Sequence, residues 1–274
     1  MGNGRASQMT GAGIRLHVVG CARSGTTLMA ELIATCFAGI GHAEHELSIF
    51  RPAPAEHRVY VSKKPSDVKR IGPLLRADPD LFVIDVYRDP RAVITSTLGP
   101  GHPYRIPFEN WAKCIRAARA LAGHPRFLDV RYERLVAEPD AVQREIEAWL
   151  PFLMQRHPFS QFDRHAQPTS EARSALGGVR AVDAERVARW RAHLPRVKAE
   201  LLRHPEMATV LIELGYEPDA SWTCELDAVA PFDQPRKAGF RRFFRNLDTD
   251  LRYLLKQRRY LRALRTRPAR DQTA

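Results

Sequence analysis

The sequence predicts an α/β domain with a parallel sheet flanked by helices, followed by a basic amphipathic helical appendage. Three observations carry this. Short apolar runs of strand length alternate with segments of 3.6-residue periodicity. The first strand runs into a glycine-rich turn that opens a helix. The charge is concentrated at the C-terminus, where residues 236–274 hold thirteen Lys/Arg against three acids, a net +10 of the chain's +12. The rest of the 274-residue chain is nearly neutral, so the high isoelectric point belongs to the tail.

Residues 1–13 are Gly-rich and polar and read as a disordered leader. Arg15 to Gly20 is a buried-strand pattern, and from Gly25 onward Leu28, Leu32, Ile33 and Cys36 recur at helical spacing. His57 to Ser62 alternates as a strand, Asp67 to Arg76 reads as a helix, and Leu81 to Tyr87 is the strongest buried strand. A helix is expected from Pro90, because proline suits a first helical turn. Further helices are expected over 107–122, 139–150 and 183–203, with Phe127 to Tyr132 as a strand. The polar stretch Phe152 to Arg180 reads as a long surface loop. The expected organisation is a leader at 1–13, a catalytic domain at 14–220, and a linker with the basic segment at 221–274.

Cys21, Cys36, Cys114 and Cys224 show no C-x-x-C spacing, which speaks against a zinc site or a disulfide framework. No run approaches a membrane span, and the N-terminus lacks an apolar signal core. The expected location is the cytoplasm.

Gly20-Cys21-Ala22-Arg23-Ser24-Gly25-Thr26-Thr27 has the glycine spacing of a nucleotide phosphate loop, with backbone N–H groups and a helix N-terminus to cradle an anion. Thr26 stands where a nucleotide-triphosphate loop carries lysine. The cation is Arg23 instead, which suits a phosphate bearing one further oxyanion better than a triphosphate. A Gly/Ser turn before a helix would share this pattern. The strand at 81–87, however, runs into Arg88-Asp89-Pro90-Arg91-Ala92-Val93-Ile94-Thr95-Ser96. Arg88 offers a planar donor fork and Ser96 a hydroxyl, a pair suited to a second phosphate. Together the motifs describe a nucleotide phosphorylated at two places, on a P-loop-type sheet.

With Arg23 to Thr27 as the 5′-phosphosulfate loop and Arg88 to Ser96 as the 3′-phosphate motif, the chain resembles the sulfotransferase family. The arginine form of the loop is more like bacterial and Golgi-type members. The resemblance runs over residues 15–217, touching Val130–Val136, Trp190 and Leu214-Gly215-Tyr216. It implies that the donor is 3′-phosphoadenosine 5′-phosphosulfate (PAPS), held by Arg23, Ser24, Gly25, Thr26, Thr27, Arg88 and Ser96, with Tyr132 near the adenine. No metal is implied.

In-line sulfuryl transfer needs a base for the acceptor, a cation at the leaving oxygen and donors around the sulfuryl group. The family's glutamate pattern makes Glu46 the first candidate base and Glu44 the second, with His42 and His45 open alternatives. Its K-x-P pattern selects Lys63 as the cation, with Arg23 as joint partner. The acceptor is a hydroxyl or amine of unread class, with carbohydrate or glycolipid placed first. A P-loop kinase and a non-catalytic nucleotide-binding membrane adaptor are the other readings.

In the tail, Phe240, Phe243, Phe244, Leu247, Leu251, Leu254, Leu255, Leu261 and Leu264 form one apolar face among arginines. An anionic membrane surface is one expected partner and packing on the domain the other. Nucleic acid is disfavoured, since no reading module accompanies the tail.

Overall fold

The computed structural model describes residues 13–266 except 52, 55, 98–100, 183, 185, 186 and 233–239, with backbone alone over 240–251. The first half of the chain folds as β1 (Ile14–Gly20), α1 (Thr26–Cys36), β2 (Ile40–His42), β3 (Val59–Lys63), α2 (Gly72–Ala77), β4 (Leu81–Tyr87), α3 (Pro90–Ile94), α4 (Phe108–Arg119) and β5 (Phe127–Arg131). The rest is helical among the described residues: α5 (Tyr132–Ala137), α6 (Pro139–Trp149), α7 (Phe162–His165), α8 (Ser170–Leu176), α9 (Leu194–Arg203), α10 (Glu206–Glu213) and α11 (Phe240–Arg265).

The five strands form one parallel sheet in the order β2-β3-β1-β4-β5. Its interior strands read as near-continuous apolar runs because both faces are covered. On one face Leu16, Val18, Ile84 and Val86 meet Met29, Leu32 and Ile33 of α1 and Val142 and Ile146 of α6. On the other, Val19, Leu81 and Val83 meet Leu74 of α2, Phe108 and Trp111 of α4, and Val197 and Met207 beyond. The register aligns the strand ends: Gly20 sits opposite Val86, Val18 opposite Lys63, and Tyr87 opposite Arg131. The loops that leave β1, β3, β4 and β5 therefore gather at one sheet edge, where such folds bind ligands.

Several sequence expectations are corrected. The helix expected over Asp67 to Arg76 is a 3-10 turn, Pro65–Lys69, followed by α2, because Gly72-Pro73 restarts the chain at a first helical turn. The helix at 183–203 likewise begins as a 3-10 turn, Val187–His193, with Pro195 at the start of α9. Ser96 lies two residues past the end of α3. The loop at 152–180 holds α7, α8 and a 3-10 turn, whose Phe159 and Phe162 are fully buried. The core also continues past residue 220, since Trp222 and Leu226 are buried in it. The leader call falls outside the described residues, save Gly13.

The described part of α11 lies on the domain. Tyr253 and Tyr260 meet the Phe50 ring edge-on at 4.8 and 6.2 Å, Arg70 covers Tyr253, and the Tyr260 hydroxyl donates to Asp78. The inward stripe is thus Tyr253, Gln257, Tyr260, Leu261 and Leu264, while Leu254 and Leu255 face outward at 53% and 48% exposure. The expected stripe was rotated because it omitted the tyrosines, whose rings pack while their hydroxyls reach polar groups. The side chains of Phe240, Phe243, Phe244, Leu247 and Leu251 lie outside the described residues.

Candidate active site

The loop after β1 turns sharply because three of its residues adopt the left-handed region: Gly20 (φ 147), Arg23 (φ 75) and Gly25 (φ 103). A Cβ on Gly25 would stand 2.4 Å from the Tyr132 ring, so glycine is required there on both counts. Ser24 is fully buried and its hydroxyl lies 2.6 Å from the Cys21 carbonyl and 2.5 Å from that of Val86. Ser24 therefore ties the loop to β4 and does not face a ligand. Thr26 and Thr27 open α1 at its positive end.

Arg23 has an unexpected partner. Its Nε donates to Ser96 Oγ at 2.8 Å and its guanidinium reaches the Thr97 carbonyl. The side chain of the first phosphate motif thereby ends on the hydroxyl of the second. Arg88 stacks over Tyr132 at 4.2 Å and donates to the Arg23 carbonyl at 3.4 Å. Trp111 Nε1 fixes the Arg88 carbonyl at 2.9 Å. Burial and the neighbouring Arg88 and Arg105 charges lower the Arg23 pKa. Such a crowd of cations is what an anion would relieve.

The other charged residues of the second motif are structural. Asp89 caps α3 through the Arg91 amide and pairs with Arg91 at 2.7 Å. Arg91 also pairs with Glu217 and lies between Trp190 (4.1 Å) and Trp222 (4.9 Å). Glu133 accepts from the Asp89 amide and the Tyr216 hydroxyl. Trp190 and Tyr216 thus brace the segment that presents Arg88.

Lys63, at the end of β3, gathers the candidate catalytic groups. Its Nζ lies 3.2 Å from Thr27 Oγ1 and 3.1 Å from Glu46 Oε1. Glu46 is held in place from below. The loop that carries it continues to Ile49, whose amide donates to Asp67 and whose carbonyl accepts from buried Arg15 at 2.6 Å. Asp67 in turn meets His17, which bonds Ser62 at 2.8 Å. Burial lowers the His17 pKa, so this wholly buried ring is neutral near pH 7. Glu44 is exposed and is not brought to Lys63 by any hydrogen bond; it faces a small recess with His42 and His45.

Both phosphate motifs open on one cavity of about 960 Å³. Its lining also includes Arg105, Arg180, Arg189 and His193, which sequence reasoning did not select. Arg180 has one guanidinium nitrogen buried without a hydrogen-bond partner among the described residues. The available signal was Gly177-Gly178 two residues earlier, both at positive φ, which ends α8 and turns the chain back over the cavity. Among the described residues no group of three or more His, Cys, Asp or Glu is placed to hold a metal ion.

The sequence model of the sulfotransferase family matches residues 35–152. Over that segment the chain is similar to the sulfotransferase family. The match begins after the loop Gly20–Thr27. No curated protein matches the chain. Among solved structures, the sulfotransferase domain from the curacin biosynthetic pathway is 17% identical at a TM-score of 0.49, covering 75% of this chain and 98% of that one. The sulfotransferase domain of the Synechococcus PCC 7002 olefin synthase is 18% identical (TM-score 0.42; 69% and 92%). Mouse sulfotransferase SULT7A1 complexed with PAP is 15% identical (TM-score 0.36; 50% and 58%).

Proposed function

We propose that this chain is a PAPS-dependent sulfotransferase that moves a sulfuryl group to a hydroxyl or amine. The observation that carries this reading is the Arg23–Ser96 hydrogen bond at the rim of one nucleotide-sized cavity. It puts the two anion-binding motifs within one side chain of each other, as a nucleotide with separate 5′ and 3′ phosphates requires. The donor supplies the sulfuryl group and leaves as adenosine 3′,5′-bisphosphate.

Position supports each role assigned in this reading. The amides of Arg23 and of Gly25 to Thr27, at the α1 N-terminus, are assigned to the 5′ anion, while the Ser24 amide closes the loop on the Cys21 carbonyl. Arg88 and Ser96 take the 3′-phosphate, and the Tyr132 ring, already stacked on Arg88, is available to the adenine. In this reading Lys63 and Thr27, 3.2 Å apart, stabilise the charge that grows on the leaving oxygen, and Glu46, 3.1 Å from Lys63, accepts the acceptor's proton. The Lys63–Glu46 contact holds the two side chains together behind Thr27, which lines the cavity and meets Lys63 Nζ. Glu44 is the reserve base.

Titration with adenosine 3′,5′-bisphosphate against ATP and magnesium tests the reading by melting temperature. The bisphosphate is expected to stabilise the chain and ATP to leave it unchanged. The reverse order would favour a kinase and refute the proposal.

A cytoplasmic location, with α11 in contact with an anionic membrane surface, is part of the proposal. No helix among the described residues is long and apolar enough to cross a membrane. The outer face of α11 carries Leu254 and Leu255 with Lys256, Arg258, Arg259 and Arg262, and residues 252–265 contain no acid. This composition suits a lipid headgroup layer while the tyrosine face stays on the domain.

A further inference from the structure

Glu46 and Lys63 reach each other from two separate stretches of chain. Glu46 belongs to the loop between β2 and β3, and Lys63 ends β3, just before the 3-10 turn Pro65–Lys69. Inside the fold, polar contacts join the two stretches. The Leu47 amide donates to the Lys63 carbonyl at 3.1 Å, and the Ile49 amide donates to Asp67 at 3.1 Å. Ile49 is wholly buried, and the ring of the next residue, Phe50, packs on α11.

On that outer side the same two stretches meet through one side chain of α11. The Phe50 ring meets the Tyr253 ring edge-on, with centroids 4.8 Å apart. The guanidinium of Arg70, the residue that closes the 3-10 turn, lies over the Tyr253 ring at 4.9 Å. Tyr253 thus touches the loop just after Glu46 and the turn just after Lys63. Both contacts are made by the ring. The Tyr253 hydroxyl is buried with no hydrogen-bond partner among the described residues, so it contributes nothing to the clamp. Tyr260 adds a longer ring contact to Phe50, at 6.2 Å, and anchors the helix through Asp78. Among the described residues none of α11 lines the cavity, so its influence on the reaction must pass through these two segments.

We propose that Tyr253 is a positioning residue for sulfuryl transfer: its ring clamps the Glu46 loop to the turn that follows Lys63 and so fixes the base against the cation. The assignment rests on the sulfuryl-transfer reading above and specifies what holds its two catalytic groups in register. A misplacement of about 1 Å caused far from the chemistry can cost about 10²-fold in rate. A remote ring therefore matters without touching substrate.

Turnover of sulfur-labelled PAPS by the full chain, with tyramine, 4-ethylphenol and glucosamine as acceptors, tests the proposal. Tyr253→Ala should lower kcat about tenfold or more while affinity for adenosine 3′,5′-bisphosphate holds. Tyr253→Phe, which keeps the ring, should restore the rate. Because Tyr253 acts through Glu46, adding Tyr253→Ala to Glu46→Gln should cause little further loss. Hydrogen exchange reads the clamp without an acceptor: the Leu47 and Ile49 amides should exchange faster in Tyr253→Ala while those of β1 and β4 keep their protection. Phe50→Ala breaks the same contact from the loop side and serves if Tyr253→Ala does not fold. An unchanged kcat in the folded variants, or a Tyr253→Phe rate as low as that of Tyr253→Ala, overturns the proposal. So does a loss in the Glu46→Gln background as large as in the wild type, or unchanged exchange at Leu47 and Ile49. Label that never leaves the donor in the wild type defeats the sulfuryl-transfer reading and this assignment together. Label transferred at one rate by the wild type and by Tyr253→Ala defeats this assignment alone.

Discussion

Replacing Arg88 with alanine removes a guanidinium that lies over the Tyr132 ring and borders the same cavity as Arg23. The backbone around it should hold, because Trp111 grips the Arg88 carbonyl rather than its side chain. Loss of the stacking costs the free protein about 0.5–1 kcal/mol, which for a chain of this size lowers Tm by about 1–4 °C. The ligand effect is larger. A charge-assisted hydrogen bond to phosphate contributes about 1.5–3 kcal/mol, so affinity for adenosine 3′,5′-bisphosphate should fall about 10- to 150-fold. Adenosine 5′-monophosphate lacks the 3′-phosphate and should lose little. Calorimetric titration of both nucleotides into both proteins reads the ratio directly, and Arg88→Lys, which keeps charge without the fork, should fall between. An unchanged ratio in Arg88→Ala would refute the assignment of the second motif.

The remaining expectations concern the base, the loop, a buried acid and the tail. Glu46→Gln should lower turnover about 10²–10⁴-fold with donor affinity kept; full activity in that variant and loss in Glu44→Gln would transfer the role. Gly25→Ala forces a left-handed alanine, costing about 1–2 kcal/mol, and pushes Tyr132 aside, so nucleotide affinity should drop; wild-type titration curves would contradict the loop geometry. Burial raises the pKa of Asp85 well above the usual carboxylate range, with Asp129 on the paired strand adding to it. Asp85 therefore keeps its proton to higher pH in the fold than in the unfolded chain, so its contribution to stability is full below pH about 4 and falls as pH rises, by at most about 1.4 kcal/mol per unit. Asp85→Asn should gain on the wild type between acid and neutral pH in urea melts; a constant gap would contradict this. Arg258→Glu with Arg262→Glu should weaken binding to anionic vesicles about 30-fold or more, since each arginine near such a surface contributes about 1 kcal/mol; unchanged sedimentation with the vesicles would count against the membrane contact.

Much of the fold was legible because its strands are doubly covered. Leu81–Tyr87 is apolar nearly throughout, and its bounds are those of β4. The turn before α1 and the arginine that leaves β4 were legible because local chemistry, glycines before a helix and a strand ending in Arg88, defines them. Three features were hidden because they depend on distant contacts. Phe159 and Phe162 sit in a stretch of polar composition, so their burial against Phe37 and its neighbours had no periodic signature. The Arg23–Ser96 contact spans 73 residues of sequence and crosses two motifs that reading had kept apart. The inward face of α11 is aromatic, and its partner Phe50 belongs to the loop that carries Glu46. No local pattern announces such a pairing.

The central claim is that sulfur, not phosphorus, is transferred. Incubating the chain with sulfur-labelled PAPS and a mixture of amine, phenol and sugar acceptors, with chelator present, tests it most directly. The account predicts labelled acceptor in step with release of adenosine 3′,5′-bisphosphate, and loss of both in Glu46→Gln. Label remaining in the donor, with phosphoryl transfer from γ-labelled ATP to the same acceptors once magnesium is supplied, would contradict it.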